Sequence, residues 1–235
     1  MPNWVFNNVT VEGSPSSVRL LKEQMNKPFT KENDCWNKET NVMEVTTDTY
    51  SNPIFSFWNI VAPTDSVEYI KQPNWITADL EESRRSHTGL DWYTWNLNNW
   101  GTKWDVAVGD GDEYPDTELI AEEENGENLV LLYKFNTAWG VPTQALTKLS
   151  SQFPDLLITN EYEEETGWGG EDEYIRGVCT EGSFYSWKCG NCDNTADYDE
   201  APYCEDCEEY VCPECLYSHA NQEDLCKEHN GSQRP

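Results

Sequence analysis

Trp4-Val5-Phe6-Asn7-Asn8-Val9-Thr10-Val11, followed by Gly13-Ser14-Pro15 and then by Val18, Leu20, Leu21 and Met25, is the stretch on which the fold turns. Strict alternation puts Val5, Asn7, Val9 and Val11 on one face and Trp4, Phe6, Asn8 and Thr10 on the other, which is the period of a half-buried strand. The Gly-Ser-Pro break ends the strand. Over residues 16–27 the apolar side chains recur at helical spacing until Pro28 closes the helix. The chain therefore opens β-turn-α.

Outward from this opening, residues 29–52 are polar and have no assignable period. Residues 54–61 read as an aromatic-rich strand stopped by Ala62-Pro63. Residues 64–101 read as an insertion, partly helical, and 104–108 as a short strand. Residues 118–124 and 129–135 flank Asn125-Gly126-Glu127-Asn128, a strong hairpin signal. Pro142 starts a second helix through Leu146, Leu149 and Phe153, and residues 156–162 return as a strand. A glycine-rich turn at 167–170 then leads to strands expected at 173–179 and 184–187. The order β-α-β, insertion, ββ-α-β is that of an α+β protein with a ferredoxin-like split βαβ antiparallel sheet and insertions. Two helices cover one face of such a sheet and leave the other to the insertion or to a partner.

Composition bounds what can fold. The 235 residues suffice for one medium domain and a small one. Leu, Ile, Val and Phe make up about 18% of the chain, which with a net charge of −29 is the composition of a disordered polypeptide. Eleven Trp and twelve Tyr reverse that expectation, because each ring buries on the order of 150–250 Å² and replaces the missing aliphatic side chains. No run of 18 apolar residues occurs, and the N-terminus lacks a basic region. A soluble cytoplasmic protein is expected, with neither a membrane span nor Sec export.

The charge is uneven: residues 1–104 carry net −4 and residues 105–235 net −25. Such a field repels nucleic acid and anionic membranes, and leaves basic proteins, basic peptides and metal ions as partners. A solvated surface that confers only solubility is the competing reading. On an extended strand, residues i and i+2 share a face about 6.6 Å apart. Glu161, Glu163 and Glu165 are thus expected to line one strand edge, as are Glu122 and Glu124. Neighbouring acidic strands would approximate the phosphate spacing of a duplex, roughly one charge per 3.4 Å along each strand.

Met1-Pro2-Asn3-Trp4, Asn52-Pro53-Ile54-Phe55, Trp100-Gly101-Thr102-Lys103-Trp104-Asp105, and Phe135-Asn136-Thr137-Ala138-Trp139 with Pro142 and Phe153-Pro154-Asp155 occur in this order. Over about residues 1–187 the chain resembles the YubB-type ferredoxin-like proteins of bacteriophages and plasmids. That resemblance implies the fold and a mobile-element origin. It implies no catalytic residues.

From Cys189 the pattern is Cys189-x2-Cys192-x11-Cys204-x2-Cys207-x4-Cys212-x2-Cys215-x10-Cys226-x2-His229. Eight soft ligands in four pairs are what two tetrahedral zinc sites require, each zinc closed by four protein ligands and so structural rather than catalytic. Residues 188–235 are accordingly expected to form a small two-zinc domain after the ferredoxin-like domain of residues 1–187. Crossed pairing would join Cys189, Cys192, Cys212 and Cys215 at one ion and Cys204, Cys207, Cys226 and His229 at the other. Sequential pairing is the alternative, and His219 is an alternative to His229. The short x4 gap resembles the cross-brace treble-clef fingers of the FYVE and ZZ type. The basic motif with which FYVE domains read phosphoinositides is replaced here by Asp197-Tyr198-Asp199-Glu200, which argues against a lipid headgroup.

Other chemistry is thin. His87 beside Arg84-Arg85 reads as a surface loop, and Cys35 and Cys179 as incidental thiols without a nearby histidine. Asp110-x-Asp112 lacks the rest of a calcium loop. The aromatic run Trp92, Tyr93, Trp95, Trp100 and Trp104 reads first as core and second as a stacking or cation-caging surface. The sequence thus points to a non-enzymatic, acidic interaction protein of phage type that occupies a basic, nucleic-acid-binding host protein and does not itself bind nucleic acid. The alternative is a peptide- or small-ligand-binding module that uses the aromatic run or the zinc finger. Oligomeric state is not legible.

Overall fold

The computed structural model describes residues 3–64, 92–108 and 117–189, and the backbone strand pairs at 195–196, 203–204 and 209–210. Strand β1 (Trp4–Gly13) has the expected alternation, with Val5, Asn7, Val9 and Val11 buried. Helix α1 (Pro15–Met25) starts one residue earlier than its periodicity suggests. Ser14 caps it by accepting a hydrogen bond from the Ser17 N–H, and Pro15 sits where no donor is needed. Val18, Leu21 and Met25 are its buried face.

Three antiparallel strands and a helix complete the core. These are β4 (Glu118–Asn125), β5 (Asn128–Ala138), helix α3 (Thr143–Gln152) and β6 (Leu157–Glu164). The sheet order β4-β5-β1-β6 is that of a ferredoxin-like split βαβ fold, and β7 (Gly169–Ile175) and β8 (Val178–Tyr185) extend it beyond β6 to six strands. The strand expected at 173–179 is instead interrupted by the hairpin turn at Arg176 and Gly177, both at positive φ.

The connection from α1 to β4, residues 26–117, contains a separate hairpin, β2 (Phe29–Asn37) with β3 (Val42–Tyr50), and the insertion expected at 64–101 lies mostly outside the described residues. Helix α2 (Trp92–Asn99) lies in it as well. No strand forms at 54–61. Phe57–Asn59 is a 3-10 turn, fixed by Asp105, whose carboxylate accepts from the Phe57 and Trp58 N–H groups at 2.7 and 3.1 Å and from the Ser56 hydroxyl at 2.7 Å. With Asp105 turned to this task, residues 104–108 run as irregular backbone and not as the short strand expected there.

The turn drives Phe55 and Phe57 into the space between helices and sheet. Phe55 stacks on Phe135 with centroids 5.1 Å apart and tilts against Tyr133, and Phe57 meets Trp100 at 6.0 Å. Trp100 is fully buried and donates its indole N–H to the Val61 carbonyl. Contacts of this kind add about 0.5–1.5 kcal/mol each beyond the area they bury, which is how a chain poor in aliphatic residues closes a core. Among the described residues, no helix is long and apolar enough to cross a membrane.

Candidate functional site

Helices α1 and α3 and the aromatic loop lie on the side of the sheet that carries Val9, Leu131 and Ile158. The other parity of each strand faces away from them. Register fixes which residues meet there: Phe6 lies opposite Glu163, Asn8 opposite Glu161, and Glu161 opposite Glu171. These side chains border a groove of about 530 Å³ that also reaches Lys134 and Tyr185.

Local chemistry shapes this groove. Gly169 faces Glu163 across β6 and β7, and a Cβ at that position would come within 2.4 Å of the Tyr185 hydroxyl. The absent side chain lets the Tyr185 ring cross the strand, with its hydroxyl 3.4 Å from the Glu163 carboxylate. Phe6 is 42% exposed, a large apolar ring left in water among carboxylates. Glu161 and Glu171 stand directly cross-strand, an arrangement of like charges that costs a sheet a few tenths to about 1 kcal/mol. Lys134 is the cation among the groove residues. The site is therefore acidic with aromatic walls, suited to a cationic polypeptide and unsuited to phosphate.

The acidic residues singled out in the sequence separate on folding. Glu161 and Glu163 share the open face, but on a central strand and not along an edge. Glu165 lies just past the end of β6, exposed, with its N–H donating to the Trp4 carbonyl. Glu122 and Glu124 do occupy the edge strand β4, yet in register with Leu131 and Leu129, on the helix side. Glu122 there pairs with Lys22 of α1. The five residues do not form one surface, because the two strands expose opposite parities. Glu171 joins Glu161 and Glu163 although the sequence places the start of its strand at residue 173. Phe6 and Tyr185 lacked any sequence signal beyond alternation.

Behind the groove, the inner face carries a line of buried polar groups. Asn7 donates to the Thr137 hydroxyl at 2.9 Å, and Asn160 donates to Asn7 at 3.1 Å. The carboxylate of Asp172 accepts from the Tyr174 hydroxyl at 3.2 Å. Asn160 and Asp172 are cross-strand neighbours, and each keeps one oxygen without a donor. Burial pushes the Asp172 carboxyl up, the Tyr174 hydrogen bond opposes this, and Glu181 adds to the rise. The same burial pushes Tyr162 up to about 12. Glu164, also buried, is pushed up by desolvation, but the Thr166 hydroxyl and N–H and the Asn3 side chain outweigh that and hold it low.

The remaining sequence candidates divide in the same way. Cys179 is half-buried and its thiol is pushed up by burial and by Asp172, the opposite of an activated nucleophile. Cys189 is buried. Cys192, Cys207, Cys212, Cys215, His219, Cys226 and His229 lie outside the described residues, as do His87, Arg84, Arg85, Asp110 and Asp112, and of Cys204 the backbone alone is described. Among the described residues no group of three or more His, Cys, Asp or Glu is placed to hold a metal ion. Of the aromatic run, Trp100 is core and Trp95 packs against it, whereas Trp104 stands half-buried beside Trp139. Trp139 has φ 71°, a left-handed conformation that costs a bulky residue about 1–2 kcal/mol.

Residues 116–205 match the family model described as the ferredoxin-like domain in Api92-like protein. The match begins at β4 and runs past the sheet to include Cys189, Cys192 and Cys204. Among solved structures, the crystal structure of a protein api92 from Yersinia pseudotuberculosis is similar at 12% identity, covering 78% of this chain and 99% of that one with a TM-score of 0.38. No curated protein matches the chain.

Proposed function

We propose that the chain is a non-enzymatic interaction protein whose open sheet face docks a basic protein, competing there with the nucleic acid that the partner normally binds. The observation that carries this reading is the convergence of Glu161, Glu163 and Glu171 on the sheet face opposite the helices, around Phe6 and Tyr185. Carboxylates about 6.6 Å apart along β6 and about 4.8 Å apart across to β7 form a two-dimensional array of negative charge. Its density is comparable with that of a phosphate backbone. The net charge of −29 favours encounter with a basic partner and disfavours nucleic acid. The YubB-type resemblance would make the partner a host protein and this chain a phage or plasmid product.

The test is capture of proteins from a bacterial lysate on the immobilised chain at graded salt, with duplex DNA as competitor. The expected result is retention of a nucleic-acid-binding protein that salt releases and DNA displaces. Glu161→Lys, Glu163→Lys and Glu171→Lys together are expected to abolish it. Retention unchanged by the triple substitution and by DNA would defeat the proposal.

A second reading concerns the cysteine-rich end, which we propose holds two zinc ions as structural metals. Two strand pairs support it. Trp187–Lys188 pairs antiparallel with Thr195–Ala196, residues on either side of Cys189 and Cys192 in sequence. Tyr203–Cys204 pairs antiparallel with Glu209–Tyr210, with Cys207 between them in sequence. A Cys-x2-Cys at a hairpin reversal is the arrangement that brings two thiolates to one ion. Metal analysis of the purified chain should give two zinc ions per molecule, and one or none in a folded sample would overturn the reading. Crossed and sequential pairing are separated by cadmium NMR of Cys212→Ser, which disturbs the site of Cys189 only if the pairing is crossed.

A further inference from the structure

A lysine over two indole rings stands at the end of the sheet where β1 begins and β5 ends. The Lys103 ammonium lies over these rings, 4.3 Å from the centroid of Trp104 and 4.1 Å from that of Trp139. Each distance is well inside the roughly 6 Å over which a cation is attracted to an aromatic face, and indole is the strongest of the aromatic partners. In a chain with 44 acidic residues an ammonium would ordinarily find a carboxylate. Among the described residues none lies within ion-pair distance of Lys103.

Both walls are braced. The Tyr93 ring meets Trp139 edge-on at 6.0 Å, and Trp4 lies 6.2 Å from Trp104. The two segments that carry the walls are joined at their backbones by the Lys103 N–H donating to the Ala138 carbonyl, and the Trp139 N–H donates to the Asn3 carbonyl just before β1. Gly101, at φ +88°, and Gly140 permit the close approach; a Cβ on Gly101 would come 2.9 Å from the Val141 carbonyl, and one on Gly140 would come 3.0 Å from that of Gly101. Trp139 is held in its left-handed conformation and is nevertheless 46% exposed. A strained backbone that keeps an indole half in water is typical of ligand clamps. Desolvation also holds the Lys103 ammonium below the usual lysine range.

We propose that Trp104 and Trp139 form an aromatic cage for an alkylated ammonium or guanidinium group, and that Lys103 is its internal occupant, displaced when the guest enters. The cage is independent of the acidic groove, so either survives the failure of the other. A purely structural role for Lys103 makes the opposite forecast, a loss of stability with no gain in binding.

The experiment is a titration of the full chain and of Lys103→Met, which keeps the aliphatic stem and removes the charge. The probes are tetramethylammonium chloride and an acetylated Gly-Arg-Gly amide, and the readout is the indole N–H resonances of Trp104 and Trp139. In Lys103→Met both resonances are expected to shift saturably, with affinity at least about tenfold above that of the unsubstituted chain. Adding Trp139→Ala should remove the response. Saturation by tetramethylammonium alone would identify a free organic cation as the guest, and saturation by the peptide an arginine side chain. No saturable shift in Lys103→Met, or one that persists in the double variant, overturns the proposal. Should that variant not fold, the ring-shifted εCH2 protons of Lys103 in the unsubstituted chain give the answer. They move to ordinary lysine positions as guest is added if the cage is real, and stay in place if it is not.

Discussion

On the helix side of the sheet Val5, Val9, Leu131, Tyr133, Phe135 and Ile158 are buried, whereas one residue along each strand the opposite side presents Phe6, Asn8, Lys134 and Glu161 to solvent. The same strands serve both faces, so propensity and hydrogen bonding are shared and only side-chain parity differs. The inner face is constrained by packing. Among the described residues the outer face is less tightly packed: Phe6, Asn8, Lys134 and Glu161 are exposed, while Asn136 at its end is buried. A Glu opposite a Glu and a phenylalanine left in water are poor choices for stability, and this marks the outer face as the one on which to look for function.

The largest expected contrast is a matched pair of truncations. Leu131→Ala should cost about 2–5 kcal/mol in urea denaturation, because it leaves a cavity between sheet and helices. Phe6→Ala, on the other face of the neighbouring strand, should cost no more than about 1 kcal/mol. Comparable losses would mean that the outer face is covered after all.

Asp172 offers a pH test of the inner face. Its folded-state pKa is raised, so its contribution to stability is fully present below the ordinary Asp value, about 4, and is lost as pH rises through the folded value. Asp172→Asn removes that loss and lets the new amide donate to the orphaned Asn160 oxygen. The variant should exceed the parent by on the order of 1 kcal/mol at neutral pH and match it near pH 3, as read from denaturation midpoints across that range.

Two smaller effects sharpen the comparison. Glu161→Gln relieves the repulsion with Glu171 and should stabilise the chain by a few tenths to about 1 kcal/mol at low ionic strength. The gain should fade in about 1 M salt, where the screening length is near 3 Å. Lys22→Ala removes the partly exposed pair with Glu122 on the helix side and should cost only a few tenths of a kcal/mol in the same assay.

The legible parts of the sequence were those governed by local rules. Alternation in Trp4–Gly13, the Asn-Gly hairpin between β4 and β5, and the helical spacing of α1 and α3 lead directly to the ferredoxin-like order of core strands. Residues 54–61 have the aromatic pattern of a buried strand yet form a turn, because the turn depends on Asp105, some 50 residues away. The site was half legible. Alternation places Glu161 and Glu163 on one face. Their partner Glu171, and the separation of Glu122 and Glu124 onto the other face, follow from cross-strand register, which no single segment encodes.

The proposed basic partner is expected on the outer face and not elsewhere on the acidic surface. The direct measurement is a two-dimensional amide NMR titration of the chain with an arginine-rich peptide, at low and raised salt. The account predicts that the largest shifts cluster at residues 6–8, 161–163, 169–171 and 183–185 and collapse as salt rises. Shifts centred on Glu122 to Glu124 of the edge strand, or spread evenly over every acidic segment, would contradict it.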